Sequence, residues 1–190
     1  NDESLWRNMW AYKDHGKSYE AVYEREHPEG FRWLHESFGT NWRMTEMQAA
    51  IGRIQLKRMP DWHAKRITNA NKIWRTATQC KGLRVPIFPD YIEHAAYKCY
   101  VFVKGDVELR DKMMMEINEK GVPCYSGSCS EVYLEKAFDN TGFRPKERLP
   151  VAKELGETSL MFLVHPTLTE EEIQKTCNVL TEVALANYDG

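Results

Sequence analysis

Three things are missing from this sequence. No apolar run approaches the ~20 residues of a membrane-spanning helix, no C-x-x-C pair occurs among its cysteines, and neither sign of charge dominates. The first absence, with no secretory-type opening stretch, makes a soluble chain in the cytoplasm the expectation. Five cysteines (Cys80, Cys99, Cys124, Cys129 and Cys177) are an odd number without metal-ligand spacing. Neither a disulfide framework nor a zinc site is therefore expected, and reduced thiols are the default. Cys124 and Cys129 share one short loop with no basic partner in view, so packing or exposure is preferred to a nucleophilic role. His15, His27 and His35 likewise lack ligand spacing and read as capping or surface residues. The 26 Lys and Arg against 28 Asp and Glu leave a net charge of −2, with a pI near 6.4. That balance argues against nucleic acid or an anionic membrane as the main partner. No internal repeat or low-complexity stretch is present, and 190 residues suffice for one domain or one and a half.

What is present centres on the string Gly39 to Leu56, a polar turn running into a helix. Thr45 and Gln48 have capping-box spacing, which predicts a helix starting at Thr45. Met47, Ala50, Ile51 and Ile54 then form one apolar stripe. Gly52 inside that helix costs on the order of 1 kcal/mol relative to Ala, which predicts a close neighbour, best a partner helix, against Ala49, Ala50 and Gly52. Asn41 and Arg43 stand just ahead of the helix start, where free N–H groups and the dipole favour an anion. From the residues alone, capping or solvation is the commoner use of such a turn.

Around this centre the chain alternates helices and short strands. Asn1 to Ser4 reads as the cap of a helix through Leu5, Trp6, Met9 and Trp10, and Lys17 to Phe38 as an irregular loop region broken by Pro28 and Gly30. Pro60 predicts a kink or break at Met59, with Asp61 capping a second helix that runs to Gly82. Beyond Gly82 the pattern predicts a small α+β domain. Tyr97 to Lys104 is its central strand, and Asp106 caps a helix that stops at Gly121, ahead of a short strand and loop. A short helix at Leu149 to Leu155, a strand from Ser159 to Val164, and a last helix capped by Thr169 and Glu172 complete it.

The string FGTNWRMTEMQAAIGRIQL closely resembles the segment G-x-N-x-R-M-x-x-x-Q-A-A-x-x-x-x-Q-L of the DegT/StrS family of nucleotide-sugar aminotransferases. DESLWRNMWAYKDHGK and the Leu149 to Glu172 tail resemble the same family, so the likeness runs almost from end to end. It implies the C-terminal portion of an α+β, fold type I transferase dependent on pyridoxal 5'-phosphate. Residues 1–44 would be the end of the large domain, 45–82 linker helices and 83–190 the small domain. The cofactor lysine would lie upstream of residue 1, leaving this chain no catalytic residue of its own and inactive alone. The resemblance gives Asn41 to the cofactor phosphate of a neighbouring subunit in a homodimer, and Arg43 to that phosphate or a donor carboxylate. It places CYSGSCSEVYLEKAF over the active site, where the family often has a His and an aromatic facing the sugar. Gly127 and Ser128 stand there instead, leaving Tyr125, Ser126 and Ser128 to bind substrate, or a plain solvated turn. The implied reaction passes an amino group, with glutamate as donor, to a nucleotide-linked keto sugar for surface polysaccharide, lipopolysaccharide or antibiotic sugars. Two alternatives stay open: a dehydratase with His in place of the lysine, and a non-catalytic dimerisation or regulatory piece.

Overall fold

The computed structural model describes residues 1–26 and 34–188, so His27, Pro28 and Gly30 lie outside the described residues. It divides into two compact units, Asn1–Lys57 and Arg58–Gly190. In the first, helix α1 (Glu3–Lys13) is capped by Asp2, whose carboxylate accepts the Leu5 N–H at 2.9 Å. A short helix α2 (Tyr19–Tyr23) follows, its start fixed by Ser18 Oγ accepting the Ala21 N–H at 3.0 Å. This corrects the expectation of an irregular Lys17 to Phe38: Ser18 is a local cap that the surrounding aromatics obscure in the sequence. Tyr19 and Tyr23 then pack edge-to-face with Trp10, with ring centroids 5.4 and 5.8 Å away, and such edge contacts add to area burial.

Helix α3 (Glu46–Gln79) runs through Pro60 without a break. Of the kink or break expected at Met59, the break is therefore not found, nor is the second helix capped by Asp61. Proline removes one N–H and crowds one carbonyl, a local cost. The helix beyond it buries Asn69, Ala70, Ile73 and Ala77, and that burial holds its second part in place. Nothing lies within 4 Å of where a Cβ on Gly52 would sit, so the neighbour expected there is not part of this chain among the described residues.

The second unit is a four-stranded antiparallel sheet with helices. Strands β1 (Leu83–Arg84), β2 (Cys99–Val103), β3 (Cys124–Tyr125) and β4 (Ser159–Phe162) lie in the order β1-β2-β4-β3. The register pairs Cys99 with Phe162 and Val101 with Leu160, and Tyr100 with Met161 and Phe102 with Ser159. Alternation of side chains along a strand puts the first set on one face and the second on the other. Cys99, Val101, Leu160 and Phe162 join a core with Ile73 and Ala77 of α3, Met113 and Ile117 of α4 (Val107–Glu119), and Ile173, Leu180 and Val183 of α6 (Glu170–Tyr188). Burying such side chains is the main favourable term in folding. The opposite face carries Tyr100, Met161 and, by the register of β3 on β4, Tyr125. Helix α5 (Pro150–Thr158) precedes β4. Local signals set these boundaries: Asp106 accepts the Leu109 N–H at 2.9 Å, Gly82 and Gly121 take positive φ at helix ends, and Thr169 and Glu172 exchange capping bonds of 2.8 and 3.2 Å. Among the described residues no helix is long and apolar enough to cross a membrane.

Candidate functional site

In the first unit the turn before α3 is tied to the end of α1 by backbone bonds. Thr40 N–H donates to the Tyr12 carbonyl (2.7 Å), Trp42 N–H to Lys13 (3.0 Å) and His15 N–H to Thr40 (3.0 Å). Two glycines let the segments approach this closely. Gly16 has φ +81°, and a Cβ there would run into the Ser37 carbonyl; a Cβ on Gly39 would lie 2.7 Å from the Tyr12 oxygen. The turn therefore has one path.

That path sets Asn41 and Arg43 side by side. Asn41 Oδ1 accepts from Arg43 Nε (3.2 Å) and from the Arg43 backbone N–H (3.4 Å). Two donors at one atom identify it as the oxygen, so the amide NH2 is the end left over, and it makes no hydrogen bond among the described residues. Arg43 Nη1 lies 3.4 Å from Asp14 Oδ1, which Lys17 Nζ also approaches at 3.5 Å. Asp14 is buried, so these cations compensate a charge that burial alone would penalise. Arg43 is consequently anchored, with part of its charge answered inside the chain. Beside it the predicted capping box is formed: Thr45 N–H donates to Gln48 Oε1 (3.0 Å) and Gln48 N–H to Thr45 Oγ1 (3.3 Å). The first-turn N–H groups of Glu46 and Met47 have no acceptor within a helix that starts there. Exposed, unpaired N–H groups at a helix start are suited to the oxygens of an anion.

In the second unit the structure places Tyr125 at the end of β3, half-exposed, with Ser126 and Ser128 following in the loop. The loop is pinned at both serines. Ser159 Oγ donates to the Ser126 carbonyl (2.7 Å), and Ser128 N–H donates to Tyr100 Oη (3.1 Å). Gly127 has φ +91°, and a Cβ there would lie 2.7 Å from Tyr100 Oη, so glycine is required where the chain crosses the tyrosine. Lys98 Nζ donates to Ser128 Oγ at 3.1 Å. Lys98 and Tyr100 were not singled out from the sequence as site residues. They lie about thirty residues from Ser128, and only strand pairing brings them together.

An ion pair between the buried Glu131 and the exposed Arg148 holds the rest of this loop. Arg148 meets Glu131 through Nε (2.9 Å) and Nη2 (2.5 Å), Tyr133 Oη donates to Glu131 Oε1 (2.6 Å), and Leu149 N–H donates to Tyr133 Oη (2.9 Å). The Arg148 guanidinium, and then the Tyr133 hydroxyl, pull the Glu131 carboxyl down to about 2. A cleft of ≈ 610 Å³ lies here, with Arg110, Ser126, Ser128, Glu131, Arg148 and Glu157 in its lining.

A crystal structure of the aminotransferase from Psychrobacter cryohalolentis is 61% identical, with a TM-score of 0.88, over 100% of this chain and 51% of that one. The erythromycin biosynthesis sensory transduction protein EryC1 of Saccharopolyspora erythraea is 29% identical over 140 residues, 74% of this chain and 37% of its own. The dTDP-3-amino-3,4,6-trideoxy-alpha-D-glucose transaminase of Streptomyces venezuelae is 24% identical over 153 residues, 80% and 39%. The chain thus spans about half or less of the length of these relatives. The family model for the DegT/DnrJ/EryC1/StrS aminotransferases matches residues 1–181, and the chain belongs to that family.

Proposed function

We propose that this chain is part of a pyridoxal-phosphate-dependent aminotransferase that moves an amino group from glutamate to a keto sugar carried on a nucleotide. The observation that carries the reading is the turn ahead of α3. Its Asn41 amide NH2 and the Glu46 and Met47 N–H groups are without an acceptor among the described residues, a donor set that fits a phosphate ester. When bound, the cofactor supplies an electron sink and carries the amino group between donor and acceptor. In this reading Asn41 donates to the cofactor phosphate of the neighbouring subunit. Arg43, steadied by Asp14, adds positive charge toward that phosphate or the donor carboxylate. Tyr125, Ser126 and Ser128 bind the sugar from the small domain. The lysine that holds the cofactor is provided by the rest of the protein, since the family carries it ahead of the segment matched here.

The test is the first half-reaction in the full-length protein. Glutamate added to the cofactor-loaded enzyme should convert its absorbance from the aldehyde to the amine form, and a nucleotide-linked keto sugar should then reverse it. Retention of the aldehyde spectrum under saturating glutamate, with hydroxyl loss from a sugar substrate instead, would replace the aminotransferase by a dehydratase.

A further inference from the structure

Two cations beside Tyr97 are held only by neutral groups. Arg66, on α3, donates from Nη1 to the Tyr97 carbonyl (3.4 Å), and its guanidinium carbon lies 5.8 Å from the Tyr97 ring centroid. Lys98 Nζ lies 6.0 Å from the same centroid and 3.1 Å from Ser128 Oγ. Both cations are half-buried, while the Tyr97 ring beside them is 74% exposed. Neither makes an ion pair among the described residues, in contrast to Arg84, Arg110, Arg144 and Arg148, each of which meets a carboxylate. The nearby Glu131 carboxylate is taken by Arg148. Two partly desolvated like charges near one ring, with a hydroxyl beside them and no counter-ion, favour an anion from outside.

We propose that Arg66, Lys98 and Ser128 form a subsite that reads an anionic group on the acceptor substrate. The group is either the diphosphate linking sugar to nucleoside or a carboxylate on the sugar itself; both offer oxygens to the same donors. The Tyr97 ring centroid lies 5.8 and 6.0 Å from the two cations, and Tyr100 fixes Ser128 by its bond to the Ser128 N–H. This deepens the nucleotide-sugar reading above and rests on it.

The experiment is calorimetric titration of the full-length, cofactor-loaded protein with dTDP, UDP and glucuronate as probes. Lys98→Met and Arg66→Gln should each weaken binding of at least one probe about tenfold, and Lys98→Arg should restore most of it. Thermal unfolding checks that each variant is folded. Should Arg66→Gln fail that check, Ser128→Ala, at an exposed position, serves as the second variant. A loss confined to dTDP and UDP assigns the diphosphate; a loss confined to glucuronate assigns a sugar carboxylate. Unchanged binding of all three by folded Lys98→Met, or no probe binding to the unsubstituted protein, overturns the subsite. A defect seen only with glutamate overturns it too. Because the glutamate half-reaction of the unsubstituted enzyme is scored separately, loss of the aminotransferase reading and loss of the subsite give different results.

Discussion

At the scale of single residues, Glu131 is the group whose charge the second-unit loop depends on. It is buried and grips Arg148 through both carboxylate oxygens, with Tyr133 completing its shell. The folded pKa of about 2 lies below the ordinary 4.5. The ionised form is therefore favoured by folding, so the contribution is present above pH ~4.5 and fades as pH falls toward 2. Glu131→Gln should lower the melting temperature at neutral pH. The gap from the unsubstituted protein should close between about pH 4.5 and 2; a gap of constant size would mean that Glu131 matters for shape rather than charge. None of this cluster was legible beforehand. Glu131 and Arg148 are seventeen positions apart with no shared period, and only the folded loop makes them neighbours. Lys98 was hidden in the same way, inside a stretch whose β-branched and aromatic residues announced only a strand.

At the scale of elements, the two glycines that interlock α1 with the turn before α3 decide whether Asn41 is presented at all. A Cβ on Gly39 meets the Tyr12 carbonyl oxygen and the His15 carbonyl carbon at 2.7 and 2.9 Å, and backbone cannot yield as a side-chain tip can. Gly39→Ala in the full-length protein should cost ~1 to 3 kcal/mol of stability and should weaken cofactor binding along with it. Unfolding by denaturant and a cofactor titration check the two parts; an Ala variant as stable as the parent would show that the close approach is not required. The neighbouring helix starts were legible because their signals are local: Thr45 with Gln48 and Thr169 with Glu172 sit three residues apart and bond as their spacing predicts. The break expected at Pro60 failed for the opposite reason. Its penalty is local, whereas the burial of Ile73 and Ala77 that sustains α3 is tertiary and cannot be read from the residues around the proline. The α+β class followed from short strand patterns and turn residues, and the structure has it as helices with a four-stranded sheet whose antiparallel pairing the sequence did not announce.

At the scale of the whole molecule, the first unit leaves Met9, Trp42, Met44, Met47, Ile51 and Ile54 exposed on and beside the polar turn. An exposed apolar surface around an anion-suited turn suits a macromolecular neighbour, and in the homodimer proposed above that neighbour is a second subunit. The central claim is therefore that Asn41 serves the cofactor phosphate bound by the partner. Asn41→Asp tests it, since the carboxylate keeps an acceptor for Arg43 while opposing the phosphate. Loss of a hydrogen bond to a charged group is worth ~1.5 to 3 kcal/mol, so cofactor affinity should fall by about tenfold or more. The decisive measurement is activity after mixing full-length Asn41→Asp subunits with subunits whose cofactor lysine is replaced. Each parent should be impaired, and each heterodimer should regain one intact site of two, about half the activity of an unsubstituted dimer. Heterodimers that form yet recover no activity would contradict the account and return Asn41 to the role of a turn residue within its own subunit.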